Sequence, residues 1–166
     1  MAELTDAEKA ARELDRSSPF PFPPLIFGIA VLVSFGLWWS FAWPIFDFGR
    51  WVFVALGLAV IAGGVAIAVA AGRLFTKAGT AVRPDKRTKV IVDTGIFAYT
   101  RNPMYLGMIL VLEGLGLAMN SFWFWLAVPI AGFALVKLAI EREERYLTAK
   151  FGAVYTDYQA RVRRWI

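Results

Sequence analysis

Long hydrophobic runs separated by charged stretches dominate the pattern along this chain. A membrane-spanning helix needs about 20 mostly apolar residues, with about 17 as the lower limit, and four runs reach that range. They lie near Leu25–Phe46, Trp51–Ala71, Pro103–Met119 and Phe122–Ile140, and the third is the shortest. The pattern therefore predicts an all-α, polytopic membrane protein with about four transmembrane helices.

The segment before the first span is polar and predicts an element at the membrane surface. Thr5-Asp-Ala-Glu8 has the form of a capping box, which indicates a short interfacial helix within an N-terminal segment of residues 1–24. Residues 25–166 contain no internal repeat or linker. We therefore expect them to form one membrane domain.

Two polar regions follow the second and fourth spans. The loop 73–101 is too long for a simple connection, so we expect it to lie on the membrane face and to line a site. Within it, Lys89-Val-Ile-Val92 reads as a short strand-like piece before a turn. The second region predicts a cytoplasmic-side helix over Glu141–Lys150 that stops at Gly152, and a last interfacial helix over Tyr155–Trp165.

The second span carries small residues at fourfold spacing in two rows. Small side chains let helices approach closely in lipid. We favour packing against a neighbouring helix of the same chain over a dimer interface. The two rows are Ala55, Ala59 and Gly63, and Gly64, Ala68 and Gly72.

The distribution of lysine and arginine predicts the orientation in the membrane. The N-terminal segment, the long loop and the C-terminal segment hold almost all of these residues, and with four spans they share one side. The other side has only Arg50. The positive-inside rule then places both termini in the cytoplasm. The net charge of +5 is explained by this orientation and by attraction to anionic membrane lipids, so we expect no nucleic-acid partner.

Composition narrows the chemistry that the chain can perform. Hydrophobic residues make up 58% of the sequence, which is too high for a soluble domain of 166 residues. Cysteine and histidine are both absent. This excludes Cys-His zinc sites, a thiolate nucleophile and a histidine base, and we predict no metal site. Chemistry must come from carboxylates, tyrosines, arginines, lysines, backbone groups or a cofactor.

Two polar motifs stand at the cytoplasmic ends of the third and fourth spans. Arg101-Asn-Pro103 begins the third span, where proline suits the first turn and free backbone N–H groups can hold an anion. Glu143-Glu144 follows the fourth span, and a buried carboxylate there could pair with a cation. Taken alone, each motif favours a structural interpretation: a helix cap with an interfacial arginine, and a solvated helix face. A hairpin of the two spans nevertheless brings both motifs to one side of the membrane.

Residues 80–164 resemble the membrane methyltransferase family that includes isoprenylcysteine carboxyl methyltransferases and phospholipid N-methyltransferases. The resemblance covers about half of the chain and favours a functional interpretation of both motifs. The matching residues, in the family's order and spacing, are Gly95-Ile-Phe97, Arg101-Asn-Pro-Met-Tyr105, Gly107, Glu143-Glu144, Leu147, Phe151-Gly152, Tyr155, Tyr158 and Val162.

The resemblance implies S-adenosylmethionine as the methyl donor, S-adenosylhomocysteine as the product and a lipid-like acceptor. We assign Arg101, Tyr105 and Glu144 as candidate catalytic residues, and Tyr105, Glu143 and Glu144 are possible bases for an amine acceptor. The cofactor contacts that the resemblance implies are Val90, Ile91, Val92, Phe97, Asn102, Pro103, Met104, Tyr105 and Glu143.

This chain departs from the family at three of these positions. The family often has histidine where Asn102 stands and tyrosine where Phe97 stands, and asparagine cannot titrate. Carboxyl methyltransferases of the family place a substrate-binding arginine at the position of Ala139. That difference argues against an isoprenylcysteine-like carboxylate, although both this acceptor and a phospholipid amine stay open.

Other interpretations remain beside the methyltransferase. Sterol reductases, which bind NADPH, end in a similar pattern, although this chain is short for their span count, and a non-catalytic scaffold could keep the same fold. Glu113 lies near the middle of the third span, where a carboxyl group is costly unless it is paired, neutral or hydrated. We favour a protonated packing role for Glu113, bonded to a tryptophan N–H, over a role in a substrate cavity. The acceptor and the oligomeric state are not determined.

Overall fold

The computed structural model describes residues 23–80 and 89–166, and its regular elements are all helical. Lys89–Val92 has no regular secondary structure, so the strand-like piece expected there does not form. The predicted N-terminal helix around Thr5–Glu8 and residues 81–88 of the charged loop lie outside the described residues. The elements are α1 (Pro23–Ser40), α2 (Arg50–Lys77), a 3₁₀ turn (Gly95–Ala98), α3 (Pro103–Met119), α4 (Phe122–Leu135), a π-helical turn (Val136–Ile140), α5 (Glu141–Phe151) and α6 (Ala153–Arg161).

Three continuous helical segments of the described chain are long and apolar enough to cross a membrane. They are Pro23–Ser40, Arg50–Lys77 and Phe122–Phe151, the last of which runs from α4 through the π-helical turn into α5. The fourth predicted span, α3, is apolar but has only 17 residues. The all-α membrane architecture is confirmed, and the count of four is approximate.

The first two spans end at residues other than those predicted. Helix α1 ends at Ser40 and not at Phe46, because Pro44 cannot donate a helical hydrogen bond and disfavours helical geometry at the residue before it. Helix α2 continues to Lys77, six residues beyond the predicted Ala71, because nothing in its polar last turns breaks a helix.

Helix α3 lies between α2 and α4, and close backbone contact joins it to α2. A Cβ atom built on Gly57 would lie 2.5 Å from the backbone oxygen of Gly114, and one on Gly64 would lie 2.7 Å from that of Gly107. No side chain fits at such distances, so glycine is needed where the helices meet. Packing within the chain was correctly predicted for Gly64, whereas a Cβ built on Gly63 or Gly72 of the predicted rows meets nothing within 4 Å. Gly57 was not singled out, because it belongs to a row with sevenfold spacing.

The turn between α3 and α4 is stabilised by one side chain. Asn120 adopts a left-handed conformation with φ of 49°, which asparagine tolerates better than most residues. Its side-chain oxygen accepts hydrogen bonds from the backbone N–H groups of Ile45 and Phe46, and its Nδ2 donates to the Phe46 carbonyl. These bonds connect the α3–α4 turn to the α1–α2 loop at the end of the bundle where the aromatic residues Trp43, Phe122 and Trp123 also cluster.

Candidate active site

The start of α3 and the start of α5 contact each other through two pairs of polar side chains. The hydroxyl of Tyr105 donates a hydrogen bond of 3.0 Å to Oε2 of Glu143. Nη1 of Arg101 lies 3.2 Å from Oε1 of Glu144. The two motifs singled out in the sequence therefore meet at one end of the bundle. Four of the predicted site residues lie together there.

The π-helical turn determines which side of α5 faces α3. Leu135 is buried on the inner face of α4, and an uninterrupted α-helix would next turn Leu138 or Ala139 and then Arg142 inward. With the extra residue of the π turn, Ala139 is buried and Ile140 also turns inward and is fully buried, while Leu138 is 41% exposed. The following inner positions are then Glu143 and Glu144. Such single-turn bulges often occur at functional sites, and the periodicity of the sequence did not reveal this one.

The C-terminal tail holds the chain just before α3. The backbone N–H of Arg101 donates to the carbonyl of Arg163 at 3.0 Å. The carbonyl of Arg164 accepts hydrogen bonds from the Thr100 hydroxyl at 3.3 Å and from Nδ2 of Asn102 at 2.9 Å. Asn102 is buried, and its side-chain amide connects the tail to the start of α3. One donor of this amide is therefore already used before any ligand binds.

Glu144 is the centre of an ion cluster with two guanidinium groups. Arg164 binds it in bidentate fashion, with Nε 3.1 Å from Oε1 and Nη2 2.6 Å from Oε2. This hydrogen bond raises the pKa of Arg164. Arg101 approaches the same carboxylate, but Nη1 does so at an angle that makes no hydrogen bond. Nε and Nη1 of Arg101 are therefore buried donors without an acceptor in the described chain.

A small aromatic cluster lies beside this ion cluster. Tyr155, Tyr158 and Val162 are buried together, and Ile91 packs against them. The Tyr158 hydroxyl donates to the Phe97 carbonyl at 2.7 Å. Burial raises the pKa of Tyr155 to about 12; the charge of Glu144 adds to this effect, and the guanidinium of Arg101 opposes it. Tyr155 is therefore a neutral hydroxyl at physiological pH.

Glycine separates the two helices that carry these groups. Gly152 has φ of 54° and ψ of −127°, a conformation that is essentially restricted to glycine. It ends α5 as predicted and lets α6 turn back, so that Leu147 and Phe151 of α5 pack against the tyrosines of α6. The turn thereby carries the tail to the start of α3.

An open cleft of about 510 Å³ borders the ion cluster on the outer side of α5. Its carboxylates are paired with cations, since Glu141 binds Lys137 at 2.6 Å and Glu144 binds Arg164. The cleft is lined by Glu141, Glu144, Arg145, Thr148, Ala149, Gln159 and Arg164.

The remaining predicted cofactor residues have different environments. Ile91 and the buried Phe97, whose ring centroid is 4.7 Å from that of Phe75, belong to packing clusters. Val90 is 43% exposed. Pro103 is fully buried at the start of α3, and Val92 and Met104 are half-buried. The start of α3, with Asn102, Pro103 and Tyr105, therefore contacts Glu143 through Tyr105. Among the described residues, no hydrogen bond joins the Val90–Val92 segment to Glu143.

Arg164 and Glu113 have environments that differ from those predicted from the sequence. Arg164 was not singled out from the sequence, because no periodic signal separates it from Arg163. Glu113 is half-buried, and its carboxyl group has no hydrogen bond to the described residues. The expected bond from a tryptophan N–H is not formed there, and Trp123 Nε1 donates instead to the Phe41 carbonyl at 2.7 Å.

Comparison with known proteins yields one family and two relatives. Residues 52–154, more than half of the chain, match the family model described as "Phospholipid methyltransferase". An uncharacterized protein of Haemophilus influenzae is 40% identical over 63 residues, which are 38% of this chain and 100% of that protein. The Protein-S-isoprenylcysteine O-methyltransferase of Schizosaccharomyces pombe is 30% identical over 96 residues, which are 57% of this chain but only 39% of that protein. No solved structure matches the chain significantly.

Proposed function

Because this chain belongs to the phospholipid methyltransferase family, we propose that it is an integral membrane methyltransferase that uses S-adenosylmethionine and methylates a lipophilic acceptor. The observation that carries the proposal is the meeting of α3 and α5, where Tyr105 contacts Glu143 and Arg101 contacts Glu144. The two pairs gather carboxylates and an arginine with unused donors at one end of an apolar bundle.

The residues present fit the charges of the proposed cofactor. S-adenosylmethionine supplies an electrophilic methyl group on a sulfonium, and it also carries an ammonium and a carboxylate. Nε and Nη1 of Arg101, which have no hydrogen-bond acceptor among the described residues, suit the carboxylate. Glu143, which accepts one hydrogen bond from the residues that the structure describes, suits a cationic group. Methyl transfer is an in-line displacement, so alignment and exclusion of water matter more than strong acid or base groups.

Of the two classes of acceptor, the site favours a phospholipid amine. Ala139 lies buried in the π-helical turn and provides no cation for an acceptor carboxylate at that position. An amine must lose a proton before it attacks a methyl group, and the Tyr105–Glu143 pair is placed to accept that proton. An isoprenylcysteine-like carboxylate remains the alternative acceptor.

The orientation predicted from the lysines and arginines agrees with this proposal. With both termini in the cytoplasm, the ion cluster faces the compartment in which S-adenosylmethionine is made, while the apolar outer surfaces of the helices face lipid. A lipid acceptor then reaches the site laterally from the membrane, and the polar donor reaches it from water.

A binding assay and a transfer assay on the purified full-length protein test this function. The wild type should be stabilised against heat by S-adenosylhomocysteine and not by NADPH, because only a true ligand shifts unfolding. It should also transfer labelled methyl groups into a total lipid extract, and identification of the product then distinguishes amine from carboxylate.

Variants of Glu143 test the proposed binding residues. Glu143→Ala should abolish stabilisation by S-adenosylhomocysteine. Glu141→Gln is a matched control on the same helix, because Glu141 pairs with Lys137 and does not contact Tyr105. Stabilisation by NADPH alone would replace the proposal with a reductase. The absence of any effect of either ligand, together with no methyl transfer, would indicate a scaffold.

A further inference from the structure

The tail residue Arg164 engages the site by both its backbone and its side chain. Its carbonyl accepts hydrogen bonds from Thr100 and Asn102, which immediately precede α3. Its guanidinium binds both oxygens of Glu144. Arg164 thus connects the start of α3 to α5. The two contacts use different groups of Arg164, so a side-chain substitution can remove one and leave the other.

The bidentate pair also determines what Arg101 can do. Glu144 is the one carboxylate within ion-pair distance of Arg101 among the described residues, and Arg164 takes both of its oxygens. Arg101 has a side chain that is only 12% exposed, and it keeps two buried donors without acceptors. Buried unpaired donors are costly, so this arrangement requires a cause within the fold or a ligand that satisfies it.

We infer that Arg164 is a positioning residue: by occupying Glu144, it leaves Nε and Nη1 of Arg101 without a hydrogen-bond acceptor among the described residues, so that these two donors can receive an anionic group, a carboxylate or a phosphate, of a ligand. Without Arg164, Arg101 would turn onto Glu144 and form the bidentate pair itself, because an arginine–carboxylate fork is the strongest arrangement available to both groups. The ligand's anion would then compete with Glu144. This inference rests on the proposed function, since the ligand is the methyl donor or a phospholipid acceptor.

The test compares two neighbouring arginines of the tail in the full-length protein. Arg164→Gln removes the bidentate pair but keeps the backbone carbonyl. Arg163→Gln removes the same charge from an exposed side chain whose backbone carbonyl alone is used. Arg164→Lys keeps the charge without the fork. Thermal unfolding of each variant confirms that it is folded before kinetics are measured.

We expect Arg164→Gln to raise one KM about tenfold with kcat within about twofold of wild type, because ground-state binding is lost. Arg164→Lys should lie between, and Arg163→Gln should match wild type. If the anion is the donor's carboxylate, affinity for S-adenosylhomocysteine falls while affinity for methylthioadenosine, which lacks the carboxylate, does not. If it is a lipid phosphate, only the KM for lipid rises. Unchanged KM values, or an equal effect of Arg163→Gln, would overturn the inference.

A measurement without turnover separates this inference from the proposed function. The Nε–H resonance of Arg101, assigned through Arg101→Lys in arginine-labelled protein, should move in Arg164→Gln, because Nε gains an acceptor, and should stay in place in Arg163→Gln. If the wild type transfers no methyl group, the proposed function is wrong. The resonance measurement still tests the positioning role of Arg164, because it needs no turnover. An Arg101 resonance that is identical in both variants would refute the positioning role.

Discussion

Asn120 and Arg101 lie at opposite ends of α3, and their polar groups are used differently. The side chain of Asn120 accepts two backbone hydrogen bonds and donates one, so its groups are occupied within the chain. Arg101 is half-buried like Asn120, but two of its donors have no acceptor in the described chain. A polar group that a fold needs only for stability is satisfied by that fold. The difference therefore contrasts an end of α3 whose polar groups the fold satisfies with the end that carries the proposed site.

The largest expected effect comes from breaking the contact that holds both ends of α3 in place. Gly64→Ala should destabilise the protein by about 3 kcal/mol, because the added methyl group meets the backbone of α3 and cannot be accommodated by a rotamer change. Methyl transfer should fall with it, since both polar ends move. Thermal unfolding in detergent measures the first effect, and the transfer assay measures the second.

Gly63→Ala is the matched control for that prediction, because a Cβ built there meets nothing within 4 Å. Both changes improve helix propensity equally, so the difference between them reports the α2–α3 contact alone. Equal unfolding temperatures for the two variants would show that α2 and α3 do not pack as described.

The second effect should be confined to the functional end. Arg101→Ala should lower methyl transfer about 100-fold, the scale observed when one preorganised donor is removed from an active site. Stability should change little, because the two buried donors that lack acceptors disappear with the side chain. The transfer assay and thermal unfolding of the same variant check this prediction. A loss of activity that is accompanied by a large fall in the unfolding temperature would make Arg101 a structural residue like Asn120.

The smallest effect should be confined to the structural end. Asn120→Ala should cost about 2 kcal/mol of stability, because the backbone groups of Ile45 and Phe46 lose their hydrogen-bond partner. Activity per folded molecule should be unchanged. Asn120→Gly removes the same hydrogen bonds while relieving the left-handed backbone, so it should be less damaging than alanine. A reduced kcat in folded Asn120→Ala would erase the contrast between the two ends.

Much of the fold could be predicted from hydrophobicity, because helices in lipid must satisfy their own backbone hydrogen bonds and must be long enough to span. The helical bounds of α3 were predicted to the residue, since Pro103 and Asn120 mark its two ends. Helix α1 was predicted too long, because the aromatic residues after Ser40 remain apolar although Pro44 ends the helix.

The site could be predicted only in part. Arg101, Tyr105, Glu143 and Glu144 were identified by their family pattern and by the hairpin that brings helix ends together. The π-helical turn and the bidentate grip of Arg164 could not be predicted, because both depend on the tertiary contacts of one residue in a segment with no periodic signal. The same holds for Gly57, whose importance is evident only once Gly114 lies opposite it.

The shortness of α3 makes the protein sensitive to the thickness of its bilayer. Its 17 residues extend about 26 Å, whereas the 28 residues of α2 extend about 42 Å and a typical hydrocarbon layer measures about 30 Å. The lipid around α3 must thin, or the end of α3 at Arg101 must lie below the headgroups. In both cases a lipid with shorter acyl chains brings its headgroup closer to the level of Arg101, and the protein would select its substrates by depth as well as by chemistry.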